Sequence, residues 1–252
     1  MQPPVVALLA VRFALGRNVR IAGDLHTGVF TDKKWRWAIP LVMRLIGRDG
    51  VAIVTNESLA KRVRSRNTEC FVVHDLIERV DVEAIRQKYV LVPLAYAHDE
   101  PLKELLEAAR MRPDIEWRLT GRAPRWMIES APRNVAFLGF LPEDDYWRQF
   151  DEAGVIGALT TEEDTMQRAG YEALSRGKAL VTTDRLVLRE YFGDAAVLAN
   201  PTASGLADAV QSAIAEIPRL ESAMKDRRAQ KLAEQDGALL RLMAWVTEGG
   251  DA

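Results

Sequence analysis

Two acidic residues eight positions apart carry the clearest chemical pattern in this chain. Asp164 lies in an acidic loop that follows the apolar run 155–159, and Glu172 lies in the helix predicted after that loop. This helix is expected to end at Gly177, after which another apolar run begins. The order strand, loop, helix, strand predicts that the loop lies at the carboxyl edge of a parallel sheet, where open α/β sheets bind ligands. Both carboxylates could accept hydrogen bonds there from the vicinal hydroxyls of a ligand.

The segment resembles the acidic-x7-Glu motif of GT-B glycosyltransferases, close to the family-4 type. The likeness continues through Glu172-Ala173-Leu174, Gly177-Lys178, Leu188-Arg189-Glu190 and, upstream, Asn134-Val135-Ala136-Phe137-Leu138-Gly139. The resemblance implies that Glu172 holds the ribose of a nucleotide-sugar donor and that Asp164 faces the donor sugar as a catalytic residue. Asp164 stands where the family usually has Glu, so its carboxylate is one methylene shorter. The alternative for Glu172 is a solvated helix residue.

The cations that usually bind the donor's phosphates in this family are missing. Family-4 enzymes grip the diphosphate with an Arg and a Lys just before the segment that matches 105–108, whereas residues 94–101 here read Leu-Ala-Tyr-Ala-His-Asp-Glu-Pro. This variant looks more like the branch that contains the β-mannosyltransferase of lipid-linked chitobiose. The remaining candidates for donor binding are Arg122 at a predicted strand end, Arg168, Gly139, and Thr165 and Met166 at the predicted helix start. Guanidinium groups and helix N-termini favour phosphate, but plain surface roles for the two arginines stay open.

A second candidate group, Asp24 and His26, follows the first predicted strand, 19–22. In the resembling family a loop with Asp and His at this place meets the acceptor or the donor sugar, so both residues are expected on the acceptor side. An imidazole can both give and accept a proton near neutral pH, which makes His26 a candidate catalytic residue. A structural histidine that caps the loop is the alternative, because the sequence shows no partner for it.

Alternating apolar runs and amphipathic segments predict the elements that position these residues. The predicted strands are 19–22, 51–54, 70–73, 89–93, 116–120, 135–138, 155–158, 179–181 and 196–198. The predicted helices are 4–15, 34–46, 57–66, 101–111, 126–129, 142–150, 167–175, 204–215 and 219–246. Such alternation indicates parallel β-α-β units. The resemblance implies an α/β, GT-B-like fold of two Rossmann-like doubly wound domains.

The predicted domain organisation is uneven. It comprises an acceptor domain at 1–75, a linker at 76–88, a nucleotide-sugar-binding domain at 89–218 and a C-terminal helix at 219–252. Only three strands are predicted before the linker, and the family's opening strands and Gly-rich first loop have no counterpart. We therefore expect the N-terminal domain to be incomplete. We also expect little or no transferase activity from the chain alone, since catalysis needs donor and acceptor held together.

Composition excludes several other classes of protein. Net charge is 34 − 36 = −2, so no nucleic acid partner is expected, although residues 1–90 carry 15 Lys and Arg against 9 Asp and Glu. The single Cys70 permits no internal disulfide and indicates a reducing, cytoplasmic compartment. Three scattered His and one Cys lack metal-ligand spacing, and no cofactor is implied. No apolar run reaches the ~20 residues that span a bilayer.

The basic aromatic segment 33–44 suggests peripheral contact with the inner membrane face. It opens with Lys33-Lys34-Trp35-Arg36-Trp37, and such a helix could place tryptophans at the interface and lysines on anionic headgroups. The alternative is a core helix with a solvated basic face, which Pro40 and the short length of the segment favour.

The sequence therefore predicts a glycosyltransferase that moves a hexose from a GDP- or UDP-sugar to a lipid-linked or polysaccharide acceptor. A catalytically deficient GT-B subunit that binds nucleotide sugar or a partner is one alternative. A GT-B-fold nucleotide-sugar epimerase is the other, but it needs further acid and base carboxylates that the sequence does not identify. Likeness of fold alone does not separate the three.

Overall fold

A computed structural model describes residues 4–16, 19–82 and 89–248 of the chain. The described residues up to Leu76 and from Ala233 onward form one compact unit, and those from Ile77 to Leu232 form the other. Residues 83–88, six of the thirteen in the predicted linker 76–88, lie outside the described residues, as do 1–3, 17–18 and 249–252. The predicted domain boundaries therefore stay a prediction.

The first unit is built on a three-stranded parallel sheet. Its strands are β1 (Ala22–Asp24), β2 (Val51–Val54) and β3 (Glu69–Val72), in that order across the sheet. The helices are α1 (Pro4–Leu15), α2 (Thr27–Thr31), α3 (Ile39–Ile46) and α4 (Glu57–Arg64), with a 3₁₀ helix at Arg36–Ala38. Its core contains Val42, Ile46, Val54 and Leu59, all fully buried. Alternating helices and parallel strands match the predicted α/β class.

The first strand lies further along the chain than predicted. It covers residues 22–24 and not 19–22, because these three residues pair in register with β2. Pairing and burial decide which residues become a strand, and they override the local preference of a Val or Ile for extended backbone. Asp24 is therefore the last residue of β1, and the loop after the strand starts at Leu25.

Helix α3 is shorter than the predicted helix 34–46. It begins at Ile39, after turn and 3₁₀ geometry, with Pro40 in its first turn. Proline is favoured there because that N–H has no partner within a helix. The short helix α2 was not predicted at all.

The second unit contains a six-stranded parallel sheet, as predicted. Its strands are β4 (Tyr89–Pro93), β5 (Glu116–Thr120), β6 (Val135–Gly139), β7 (Val155–Ala158), β8 (Leu180–Thr183) and β9 (Ala196–Ala199). They lie in the order β6-β5-β4-β7-β8-β9. The order reverses between β4 and β7, so the crevice between these two strands is the topological switch point at which doubly wound sheets bind ligands.

Helices cover both faces of this sheet. They are α5 (Leu102–Met111), α6 (Arg125–Ser130), α7 (Glu143–Glu152), α8 (Arg168–Arg176), α9 (Leu186–Phe192), α10 (Ala203–Ala215) and α11 (Ile217–Glu248). On β4, Tyr89 and Leu91 face one buried cluster, while Val90 and Val92 face the other. Successive side chains of a strand point to opposite faces, so a strand apolar at every position must be buried on both.

Candidate functional site

A cavity of about 710 Å³ lies at the carboxyl edge of the six-stranded sheet. Its wall includes Pro93 and Thr120, the last residues of β4 and β5, and residues 167–169 at the start of α8. The cavity therefore lies beside the switch point, where the topology predicts a ligand. Three of the predicted donor-binding residues line it: Arg122, Arg168 and Glu172.

Glu172 is held by two side chains inside this cavity. Its Oε1 accepts a hydrogen bond from Arg168 Nε at 3.0 Å, and its Oε2 accepts one from the hydroxyl of Tyr146. The side chain is 13% exposed, whereas the side chain of Arg168 is 85% exposed. A carboxylate offers about four acceptor positions, so two stay available for a ligand's hydroxyls. The structure therefore places Glu172 as an oriented acceptor, not as a solvated helix residue.

Tyr146 belongs to an aromatic wall contributed by α7. Its ring meets that of Trp147 edge-on at 5.0 Å between centroids, and both pack on Phe150. Burial raises the pKa of Tyr146, and the neighbouring carboxylate of Glu172 raises it further, so the phenol stays a hydrogen-bond donor. The cavity thus combines a flat apolar surface with a carboxylate, a combination suited to a ligand with both a ring and hydroxyl groups.

Arg122 reaches the cavity because of the glycine before it. Gly121 has φ +87°, and a Cβ at this position would lie 2.1 Å from the carbonyl oxygen of Leu94. Only glycine fits this left-handed, close approach between the loops after β4 and β5. The side chain of Arg122 is exposed and has no partner among the residues that the structure describes. Its guanidinium is therefore free to meet an anionic group of a ligand.

The loop between β7 and α8 differs from the prediction in where its helix begins. Helix α8 starts at Arg168, one residue after the start of the predicted helix 167–175, and Gln167 is its N-cap. Met166 packs against the core, and neither it nor Thr165 lines the cavity. The first N–H groups of the helix belong instead to Arg168 and Ala169, which do line it.

Asp164 is buried within the same loop. It is 6% exposed, takes part in interactions with its surroundings and does not line the cavity. The structure thus brings Arg122, Arg168 and Glu172 together, but it does not add Asp164 to their surface.

Asp99 fixes this loop to the loop after β4. One carboxylate oxygen, Oδ2, accepts hydrogen bonds from Thr160 Oγ1 at 3.0 Å and from Gln167 Nε2 at 3.2 Å. Its backbone carbonyl accepts from the N–H of Thr161 at 2.6 Å and from the hydroxyl of the same residue. Asp99 therefore holds both ends of the loop 160–167 across the switch point. In the sequence, Asp99 stands out only as part of the Asp-Glu pair in the segment where the resembling family has its cations.

Gly139 lies at the end of β6 with φ +70°. Its carbonyl accepts the N–H of Gly121 at 2.7 Å, and the next residue, Phe140, lines the cavity. Gly139 itself is not part of the cavity wall.

Asp24 and His26 lie together in the first unit, at the carboxyl end of β1. His26 Nε2 is 3.2 Å from Asp24 Oδ2, and their side chains are 54% and 62% exposed. His26 is the N-cap residue of α2, but its side chain makes no capping hydrogen bond. The pair is thus an exposed imidazole–carboxylate contact in which the carboxylate can orient the ring. The sequence signal that was missed is the i, i+2 spacing around a strand end.

Trp35 and Trp37 differ in their exposure to solvent. Trp37 is 68% exposed, and its indole N–H donates to the carbonyl of Lys34, whereas Trp35 is half-buried. Among the described helices, none combines the length and the apolar character needed to cross a membrane.

Several solved structures share this fold, although no protein-family model and no curated protein matches the sequence. HepE of Anabaena, in complex with UDP-glucose, gives a TM-score of 0.75 at 14% identity, over 95% of this chain and 76% of HepE. Sucrose-phosphate synthase of Thermosynechococcus elongatus gives 0.70 at 16% identity, over 93% of this chain and 70% of the synthase. TarM of S. aureus, in complex with UDP among other ligands, gives a TM-score of 0.73 at 12% identity, over 92% of this chain and 51% of TarM.

These neighbours are GT-B glycosyltransferases, and at such low identity the similarity shows the fold alone. The predicted α/β, GT-B-like fold with Rossmann-like units is confirmed. Likeness to family 4 and to the mannosyltransferase branch stays a prediction.

Proposed function

We propose that the cavity of the second unit binds a nucleotide sugar and that the protein is a glycosyltransferase. The observation that carries this proposal is Glu172, held by Tyr146 and Arg168 in a cavity at the switch point. A fixed carboxylate with two acceptor positions left over suits the two hydroxyls of a ribose. The structural neighbours HepE and TarM were solved with UDP-glucose and with UDP, which supports a nucleotide donor of this class.

The remaining predicted residues receive roles that follow from this ligand. Arg122 would bind the diphosphate, since its guanidinium lines the cavity without an internal partner among the described residues. Asp164 would act near the donor sugar, and Asp24 and His26 would meet the acceptor, a glycan or a lipid-linked intermediate. GDP and UDP are both candidate nucleotides. We place the protein in the cytoplasm, with peripheral membrane contact through the exposed Trp37.

Calorimetry with UDP, GDP and the free nucleosides tests the donor site. Glu172→Ala should weaken binding of every one of these ligands roughly tenfold or more, because each charge-assisted hydrogen bond contributes ~1.5–3 kcal/mol. Glu129→Ala is the matched control, because Glu129 also pairs with an arginine four residues before it, Arg125, but lies outside the cavity. Unchanged affinity in a folded Glu172→Ala variant would refute the ribose assignment.

The diphosphate assignment has its own comparison. Arg122→Ala should weaken the nucleoside diphosphates far more than the nucleosides, because only the former bring charge. Arg133→Ala removes an exposed arginine outside the cavity and should leave the affinities for both kinds of ligand unchanged. Equal losses for both kinds of ligand would argue against a phosphate contact.

One observation favours a second candidate, a protein that binds nucleotide sugar without transferring it. The acid expected at the donor sugar, Asp164, is buried and does not line the cavity. A transferase should lose sugar transfer and donor hydrolysis on Asp164→Asn while it keeps nucleotide affinity. A pure binder would show neither activity before or after the substitution.

A further inference from the structure

The loop after β4 forms a pocket of backbone N–H groups around one side chain, Glu100. Its Oε1 accepts the N–H of Ala95 at 3.0 Å and its Oε2 accepts the N–H of Ala97 at 2.7 Å. Between them, Tyr96 adopts a left-handed backbone with φ +55°. Successive N–H groups around a left-handed residue form a nest, a concavity that binds anions. Here the anion in the nest is the protein's own carboxylate.

This nest belongs to the wall of the candidate donor cavity. Glu100 and Ala95 both line the cavity, and Glu100 is 8% exposed. The loop after β5 packs closely on the loop that forms the nest, because a Cβ at Gly121 would lie only 2.1 Å from the carbonyl oxygen of Leu94. A ligand at the carboxyl end of β4 therefore meets a filled anion site beside Arg122.

The charged residues of the cavity wall show which groups could attract an anionic ligand while Glu100 occupies the nest. The charged lining residues are Arg122 and Arg168 against Glu100, Glu143 and Glu172, which gives 2 − 3 = −1. Arg168 is paired with Glu172, so Arg122 is the lining cation that makes no ion pair within the part of the chain that the structure describes. Burial raises the pKa of Glu100, and the N–H groups of the nest oppose that rise by stabilising the charged form.

We propose that Glu100 determines ligand specificity by occupying the backbone anion nest of the cavity. A phosphate is kept away from the loop 94–101 and must bind on the Arg122 side, so the cavity accepts anionic ligands in one orientation only. The acidic pair in place of the expected cations thus gains a physical role: Asp99 holds the opposite loop and Glu100 fills the nest. The orientation of a nucleotide rests on the proposed function, whereas the occupied nest does not.

Inorganic pyrophosphate tests the nest without any nucleotide. Glu100→Ala empties the nest and should raise the affinity for pyrophosphate at least tenfold over the unmodified chain, about the effect of one charge-assisted hydrogen bond. Glu143→Ala is the matched control, because it removes the same charge from the same cavity but contacts no N–H group of the loop among the described contacts. This control should gain about threefold or less, from screened charge alone. Equal gains in the two variants, or no gain in Glu100→Ala, would overturn the proposal.

A folding defect in Glu100→Ala would itself be informative. An empty nest should be refilled by small anions, so acetate or phosphate should restore the melting temperature and chloride at equal ionic strength should not. A folding defect that neither anion corrects would also overturn the proposal. Titration with uridine and guanosine tests the nucleotide site separately. If neither nucleoside binds, the nucleotide site is refuted, but the pyrophosphate result still tests the nest. The two failures can therefore be distinguished.

Discussion

Glu172 and its two donors form the best-defined polar contact in the cavity. Tyr146 comes from α7 and Arg168 from the first turn of α8, so the carboxylate is oriented by two separate elements. Of the two, Tyr146 is the more constraining partner, because it is packed among aromatic rings while Arg168 is largely exposed. Holding an acceptor in place before the ligand arrives lowers the entropy cost of binding.

Tyr146→Phe should therefore weaken nucleotide binding without removing the carboxylate. We expect a loss of roughly three- to tenfold, smaller than that of Glu172→Ala, because Arg168 still contacts Glu172 and the ring is preserved. Tyr89→Phe is the matched control, since the hydroxyl of Tyr89 donates to the carbonyl of Gln149 outside the cavity. Calorimetry on both variants measures the difference; equal affinities would show that Tyr146 does not orient Glu172.

Cys70 gives a prediction about reactivity. It lies in β3 at 9% exposure, and burial raises its thiol pKa to about 11, outweighing the nearby charge of Arg64. At pH about 8 the thiol is protonated, and only the thiolate is nucleophilic. Disulfide-exchange reagents should thus modify the native chain at least ten times more slowly than the denatured chain. Equal rates would contradict a buried thiol.

Three of the charged residues in the cavity could be predicted from the sequence, whereas two residues that orient the site could not. Glu172 was predicted from the acidic-x7-Glu pattern, Arg122 from its place at a predicted strand end and Arg168 from its place near the predicted helix start. Tyr146 and Asp99 were missed, since their contacts join residues 26 and 61 or 68 positions apart. Such contacts depend on how helices and loops pack, which the local pattern does not record.

At the scale of elements, the loop between β7 and α8 depends on Asp99. Thr160 is fully buried, and its hydroxyl accepts the N–H of Glu162 while it donates to Asp99, so its O–H loses its acceptor if the Asp99 carboxylate is removed. Asp99→Ala should lower the free energy of unfolding by ~1–3 kcal/mol, the cost of leaving buried polar groups unsatisfied. It should also speed hydrogen exchange in residues 160–167. Asp99→Asn should behave more mildly, because its amide oxygen can still accept a hydrogen bond.

Asp114→Ala is the control for this prediction. Asp114 is 62% exposed and pairs with Arg112 at the surface, where ion pairs contribute ~0–1 kcal/mol. Urea titration and hydrogen exchange of the three variants provide the measurements. If Asp99→Ala were as stable as Asp114→Ala and exchanged no faster in 160–167, the loop would be held by other contacts.

The elements themselves were predictable where burial is uniform. Strands β4 and β7, in the middle of the six-stranded sheet, appear in the sequence as apolar runs, because helices cover both faces of the sheet. Helix α9 was missed although Val187, Leu188, Tyr191 and Phe192 recur at helical spacing and are all buried. Strand β1 was misplaced because only three residues pair, so a short-range pattern could not fix its position.

At the scale of the whole molecule, buried residues divide between the two units. One cluster of the described residues draws on 5–70, and the two clusters around the larger sheet draw on 77–224. Because each unit has its own core, each can unfold locally by itself. The free energy of that local unfolding then sets how fast the amides of the unit exchange. The proposed donor cavity is lined by residues of the second unit alone.

A bound nucleotide should therefore stabilise one unit and not the other. At a ligand concentration about 100 times the dissociation constant, the binding unit gains about 2.7 kcal/mol. Exchange of the β4 amides should slow accordingly, while exchange of β2 and labelling of Cys70 should stay unchanged. Glu172→Ala provides the control, because at the same ligand concentration the protection of β4 should fall by about 1.4 kcal/mol for each tenfold loss of affinity. Equal protection of β2 and β4 by nucleotide would show that the two cores open together, and the chain would then unfold as one cooperative body despite its separate clusters.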